Sequence, residues 1–334
     1  MAPLEFLRVL VSSGFIFYFP LIGWSASCRC ESHCARESVR YRKALVMDIV
    51  LNSKFFSELS PAELGEKIKA FGYDGVDPCI RPGHPVTFDN VDKALPAATR
   101  VWKDQGVVCP MVSAPIDFND ATLPEAERLY AACGASGIPL MKMGYFRYHE
   151  GDDYWSRIDD VRKALDSFQH LGEKHGVKTL CHTHSGPFFG SNCSGLMHLL
   201  KGFDPRYTGA YVDFGHLALD GEDMAMGLGI VRDYLSAIGI KDAFHAHQPD
   251  QTPSYIPQFT ATGEGSVNWR RALTLLVSLD FVGPLCVHTE YEFDESIIRN
   301  IGYADTKPER LEEVAQEDLR YLRKLLAETG GRST

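Results

Sequence analysis

No Lys/Arg-rich run occurs anywhere in the 334 residues, and the formal net charge is −10. An acidic chain without a basic stripe repels phosphate backbones, so nucleic acid is not an expected partner. Past the first 27 residues, no apolar run is long enough to span a membrane. No Gly-rich phosphate loop follows the first apolar segment; Asn52-Ser53-Lys54-Phe55 stands there instead. There is no internal repeat of short period and no composition break after residue 42, which leaves one large domain over 43–330. A disulfide framework is also missing. Of nine cysteines, Cys79, Cys109, Cys133, Cys181, Cys193 and Cys286 are scattered and read as buried free thiols, packing as small apolar residues. Cys28, Cys30 and Cys34 crowd together with His33, but their irregular spacing does not make a zinc knot.

The N-terminus differs from the rest. Arg8 precedes an apolar core, Phe15-Ile16-Phe17-Tyr18-Phe19-Pro20-Leu21-Ile22, and then Ser25-Ala26-Ser27. A weakly positive start, an apolar centre and a small-x-small site are the pattern of a secretory signal. Residues 1–27 are therefore expected to be a signal peptide and 28–42 a linker, with export to the periplasm or the exterior. If the signal is not real, the protein is cytoplasmic. Pro20 and the short apolar length disfavour a spanning anchor.

From residue 43 strand-like and helix-like stretches alternate. Ser60-Pro61-Ala62-Glu63 and Thr122-Leu123-Pro124-Glu125 read as capping boxes that open helices. Eight apolar segments are each followed by an amphipathic one, ending in a helix over Pro308–Thr329. Strict alternation implies a parallel sheet, and eight units suggest a closed (β/α)8 TIM barrel.

The chemistry collects where the later segments end. Val177–Cys181 runs into His182-Thr183-His184, and Tyr211-Val212 into Asp213, with His216 beyond. Ile240–His247, read as strand seven, ends in His245 and His247, and Leu285–Val287 runs into His288, Glu290 and Glu292. Residues two apart share a face of a strand, so each set can point into one cavity at the C-terminal mouth of a barrel. A set of His182, Asp213, His247 and Glu290 offers two imidazoles and two carboxylates. That mixture suits one divalent ion of Mn, Co, Fe or Zn better than Mg or Ca. Lys142, among apolar neighbours in strand four, needs a partner if buried. Arg81-Pro82-Gly83-His84 follows strand two; Arg81 would pair with an anionic or hydroxyl-rich substrate, and His84 would act as acid or base, unless the segment is a plain Pro-Gly turn.

Phe71-Gly72-Tyr73-Asp74-Gly75-Val76-Asp77, Tyr211-Val212-Asp213-Phe214-Gly215-His216, His247 with Asp250, Gly263-Glu264-Gly265 and Cys286-Val287-His288-Thr289-Glu290 together resemble the xylose-isomerase-like TIM barrels, the sugar phosphate isomerases/epimerases. The Arg81–His84 loop looks like that of an exported subgroup. The resemblance implies a divalent metal on Asp213, His247 and Glu290, with His182 where family epimerases have Glu, and His216 on the substrate. It implies proton transfer next to a carbonyl, with Glu290 as one base and His182 or His184 as the other. The expected activity is that of a metal-dependent sugar or polyol isomerase or epimerase. A dehydratase of the inosose type, an exported non-catalytic sugar-binding barrel and an apurinic-endonuclease-like phosphodiesterase are the alternatives. The expected partner is a small sugar or polyol, and self-association into a homo-oligomer is compatible with the sequence.

Overall fold

The computed structural model describes residues 46–250, 252–291 and 308–332. The expected signal, the 28–42 segment and Glu292 lie outside those residues. Eight parallel strands form the core: β1 Ile49–Asn52, β2 Gly75–Asp77, β3 Met111–Ser113, β4 Leu140–Lys142, β5 Lys178–His182, β6 Thr208–Asp213, β7 Leu235–Ile240 and, after an antiparallel hairpin of β8 Asp242–His247 and β9 Tyr255–Thr260, β10 Leu285–Val287. Ladders run β2-β1-β10-β7-β6-β5-β4-β3. Parallel bridges at Gly75–Val108 and Cys79–Ser113 join β2 to β3 and bring the ring nearly to closure. The expected (β/α)8 barrel is present.

Helices α1 Pro61–Phe71, α2 Val91–Asp104, α3 Pro124–Ser136, α4 Tyr154–His175, α5 Cys193–Leu200, α6 Phe214–Asp220, α7 Met224–Ile230, α8 Trp269–Ser278 and α9 Pro308–Thr329 alternate with the strands. The Ser60 capping box forms: Glu63 accepts from the Ser60 N–H at 2.9 Å, and Gly72, at φ 90°, closes α1 in the left-handed region. The Thr122 box does not form. Thr122 bonds Asp120 instead, and Leu123, without a side-chain cap, precedes Pro124.

Strand alternation divides the core in two. Ile49, Leu51, Val112, Met141, Cys181, Val212 and Ile238 join the large cluster between barrel and helices. Val50, Met111, Leu180, Tyr211, Ala237 and Cys286 form a separate small cluster. These are the inward positions, so the barrel floor is filled and the next inward residue on each strand stands above it. Six described cysteines are free and five of them buried, as core thiols should be. Among the described residues no helix is long and apolar enough to cross a membrane.

Strand seven differs from the sequence expectation. The barrel strand is Leu235–Ile240, where a helix end was expected, and the run Asp242–His247 pairs antiparallel with Tyr255–Thr260 outside the ring. Ser236 and Gly239 weaken the apolar signal of the true strand, while Ala243-Phe244-His245-Ala246-His247 carries a stronger one.

Asp318 of α9 ties the last helix to the barrel. It accepts from the Tyr291 hydroxyl at 2.6 Å and from the Thr262 N–H at 2.8 Å. Burial raises its carboxyl to about 7, against roughly 3.9 in an unfolded chain. The neutral form therefore suits the fold. Its advantage is complete below the unfolded value and is lost as pH rises to 7. The stability of Asp318→Asn relative to wild type should rise by roughly 3 kcal/mol between pH 5 and 8. Urea midpoints at each pH measure this, and a constant difference would remove the assignment.

Candidate active site

The inward residues above the floor are Asn52, Asp77, Ser113, Lys142, His182, Asp213, Gly239 and His288, nearly all polar. Asp77 ties the first strands together, its Oδ2 accepting from Asn52 at 2.7 Å, Ser113 at 2.8 Å and the Cys286 thiol at 3.3 Å. Burial outweighs these bonds and raises its carboxyl.

On the opposite side His182 Nε2 and Asp213 Oδ2 lie 3.4 Å apart, both buried and both without a hydrogen-bond partner. Donors on one transition-metal ion, each about 2.1 Å from it, are themselves roughly 3–4 Å apart. His288 offers a third ligand atom within 4.8 Å of the other two. A tyrosine holds the other edge of each imidazole: the Tyr145 hydroxyl lies 3.0 Å from His182 Nδ1, and that of Tyr211 lies 2.7 Å from His288 Nε2. Ligating histidines characteristically have one nitrogen fixed in this way. Burial, then the nearby lysine charges, keep His182 well below its usual range, so it is neutral and able to ligate. Asp213 is fixed as well. Its N–H donates to Thr183 Oγ1 at 2.9 Å, and its Oδ1 caps α6 through the His216 N–H at 3.1 Å. Burial raises the Asp213 carboxyl, but Lys241, His216 and His288 outweigh it and the net shift is downward.

Lys241, just past β7, escaped the sequence reading. Its side chain is 4% exposed, and its Nζ lies 2.7 Å from Glu290 Oε2, 3.2 Å from His216 Nε2 and 3.8 Å from Asp213 Oδ2. The Lys54 ammonium lies 2.6 Å from Glu290 Oε1, so both oxygens of Glu290 are engaged by lysines. Burial raises Glu290, but Lys241 and Lys54 overcome it and hold the carboxyl well below its ordinary range. A Cβ at the preceding inward position, Gly239, would stand 2.6 Å from Asp213 Oδ2, so no ligating side chain fits there.

The structure sets His247 apart from the rest of the expected metal set. His247 lies exposed on the outer hairpin, its ring tilted against Tyr255 at 4.8 Å, because β7 ends seven residues earlier than expected. Glu290 is committed to the two lysines. Two donor groups come together among the described residues, Asp77 with Cys286 and His288, and His182 with Asp213 and His288; the second offers two imidazoles and one carboxylate and needs no thiolate. The second group fits a single transition metal with open positions.

The remaining expected residues are placed as follows. His184 packs 4.1 Å from His216 and 4.7 Å from Tyr145 by ring centres, and its Nδ1 lies 2.9 Å from the Ser185 carbonyl. Burial and Lys241 lower it to about 4. His216 bridges Ser185 Oγ at 2.9 Å and Lys241. The Lys142 Nζ sits 3.9 Å from the centre of the Tyr145 ring, and burial, then Arg81, bring its amine down to about 7. Arg81 donates from Nη2 to the Cys79 sulfur at 3.3 Å, while its buried Nε has no partner. His84 does not join them; it lines a narrow crevice with Phe56, Leu64 and Trp102. A cleft of about 440 Å³ at the opposite end of the barrel, lined by Asp48, Pro139, Lys178 and Leu235 among others, contains no histidine.

Comparison with known proteins agrees with this architecture. The family model of the xylose isomerase-like TIM barrels matches residues 66–325. An inosose dehydratase of Lactiplantibacillus plantarum is 24% identical over 143 residues, which is 40% of this chain and 47% of that protein, so the match spans about half its length. The 3-keto-D-glucoside 4-epimerase of E. coli superposes with a TM-score of 0.61 at 15% identity, over 83% of this chain and 99% of that one. An L-ribulose 3-epimerase gives 0.64 at 12% identity, covering 85% and 96%. A Mycobacterium smegmatis barrel solved in complex with magnesium gives 0.61 at 16%, covering 85% and 98%. At such identities the structures speak for the fold, and the family match covers most of the chain. The chain belongs to the xylose isomerase-like TIM barrel family.

Proposed function

We propose that this protein is a metal-dependent isomerase or epimerase of a small sugar or polyol, moving a proton next to a carbonyl. The observation that carries it is the pair of buried atoms without a hydrogen bond, His182 Nε2 and Asp213 Oδ2, 3.4 Å apart, with His288 beside them. Two buried polar atoms left without partners are costly unless a ligand completes them. His182, Asp213 and His288 would hold the ion, which when bound acidifies a C–H flanked by carbonyl and hydroxyl oxygens. His184 takes the proton. A hydrogen bond from its Nδ1 to the Ser185 carbonyl leaves Nε2 as the basic nitrogen, and burial keeps the ring neutral. Lys241 and Lys54 fix Glu290 as an ionised carboxylate of low basicity, so its part is electrostatic. A single neutral base suits transfer between neighbouring carbons on one face, which is the isomerase form of the chemistry. The structural resemblance to sugar epimerases supports the substrate class.

Elimination of water from a keto-polyol is the second reading, favoured by the similarity to an inosose dehydratase. Incubating the metal-loaded protein with D-fructose, D-tagatose, L-ribulose and an inosose in deuterium oxide tests both. Deuterium entering carbon next to the carbonyl supports isomerase or epimerase chemistry. An unsaturated ketone formed from the inosose alone moves the assignment to the dehydratase. No exchange with any of the four, nor with the sugar acid D-galacturonate, sinks the enzyme reading.

In a companion test, His184→Gln should slow exchange by roughly 10²–10⁴-fold, the usual contribution of a positioned base. Metal content, read by elemental mass spectrometry, should stay at the wild-type value. Unchanged exchange would transfer the role elsewhere.

A further inference from the structure

The cations at the barrel mouth fall into two kinds. Lys54 and Lys241 both pair with Glu290, and Lys241 also lies 3.8 Å from Asp213 Oδ2. Arg81 and Lys142 make no ion pair with any described residue, although Lys142 is only 6% exposed. Asp77, whose charge acts on Lys142, gives its Oδ2 to Asn52, Ser113 and Cys286 and keeps a buried Oδ1 without a hydrogen bond, so one carboxyl that burial pushes toward its neutral form faces two cations. A buried ammonium without an acceptor is costly, and a second cation beside it adds repulsion.

The register places these two groups together. Cys79 bridges to Ser113, and Ser113 stands opposite Lys142, so the three lie at one level across β2, β3 and β4. Arg81, two residues past Cys79, folds back so that its Nη2 donates to the Cys79 sulfur. Its buried Nε–H has no partner. Guanidinium edges of this kind match a carboxylate with two parallel bonds, and an ammonium alongside adds a point charge. Tyr145 links this pair to the metal-donor group, with Lys142 over its ring and His182 Nδ1 at its hydroxyl. A molecule whose oxygens reach His182 and Asp213 therefore has Arg81 and Lys142 near its other end.

We propose that Arg81 and Lys142 form a carboxylate-binding subsite, so that the substrate is a sugar acid rather than a neutral sugar. The sugar part of this statement rests on the isomerase reading above; the carboxylate part rests on the two unpaired cations alone. The anion relieves their repulsion on binding and fixes the sugar's orientation toward His182 and His184.

Calorimetric titration of the metal-loaded full chain with D-galacturonate, D-galactose and D-galactose 6-phosphate tests this. Galacturonate should bind at least tenfold more tightly than galactose. Arg81→Gln should abolish the preference and leave galactose binding as it was. Lys142→Met, which keeps an aliphatic chain over Tyr145, should reduce it, with both variants retaining the wild-type thermal midpoint. Equal affinity for galacturonate and galactose would overturn the proposal, as would a preference that survives in both variants. Tighter binding of the 6-phosphate than of the uronate would overturn the carboxylate assignment. Arg81-dependent uronate binding without any deuterium exchange would leave the subsite standing and sink the isomerase reading alone.

Discussion

Replacing Lys241 by methionine is expected to destabilise the barrel by roughly 3–5 kcal/mol, the cost of removing one partner from a buried ion pair. The ammonium has two carboxylates and an imidazole around it, with Glu290 at 2.7 Å, Asp213 at 3.8 Å and His216 at 3.2 Å. Burial lowers the lysine, but Glu290 and Asp213 overcome it and raise it above its ordinary value, so it is charged in the folded protein. Without it Glu290 keeps the ion pair with Lys54, whose side chain is 27% exposed and screened accordingly. The double variant Lys241→Met/Glu290→Gln removes both charges and should recover more than half of the loss. Urea denaturation of wild type, the two single variants and the double variant closes the cycle. If the double variant is as unstable as the sum of the singles, the pair is not coupled and the account of the mouth is wrong.

That lysine also shows where the sequence could be read and where it could not. The barrel was legible because strand and helix signals alternate without interruption, and because β5, β6 and β10 are apolar runs broken by His or Asp at their ends. His182 and Asp213 meet for that reason. Strand seven was not legible. Its inward residues are Ala237, Gly239 and then Lys241, and glycine gives no periodic signal. Gly239 is small because the Asp213 carboxylate occupies the space its side chain would need. That is a tertiary reason, invisible locally. The hairpin strand β8 supplied the apolar run instead, and the expected ligand went with it to His247. A short apolar run ending in Lys241-Asp242 was the signal available for the true strand. Its meaning depended on knowing that Glu290 stands across the mouth.

His288 and Glu290 pose a different problem. They share a face, so alternation alone makes either a candidate. Depth decides between them. His288 directly follows β10, and Tyr211 holds it beside Asp213, whereas Glu290, two residues further out, meets Lys54 and Lys241. Side-chain depth in a barrel depends on the stagger between strands, which a one-dimensional pattern does not carry.

The difference is sharpest in the behaviour expected of Asp213→Asn. The asparagine oxygen can still accept from the His216 N–H, since Asn is as good an N-cap as Asp. The bond from the residue 213 N–H to Thr183 is unchanged, and Lys241 keeps Glu290. The fold should therefore survive, losing the 3.8 Å attraction between Asp213 and Lys241 but not the closer pair of Lys241 with Glu290. What disappears is the negative charge on the atom facing His182 Nε2. Bound metal should drop from one equivalent to a small fraction, and turnover should fall by roughly 10²–10⁴-fold, since the ion contributes several kcal/mol to stabilising developing charge. Glu290→Gln is the contrasting variant. With its carboxylate assigned to the lysines and not to the ion, it should retain metal near the wild-type level. Elemental mass spectrometry on the two purified variants reads the difference directly. Metal retained in Asp213→Asn and lost in Glu290→Gln would return the ligand role to Glu290 and displace Asp213 from the set. Metal lost only in Asp213→Asn would assign the donors to β5, β6 and β10, with Lys241 as the fixed charge behind them.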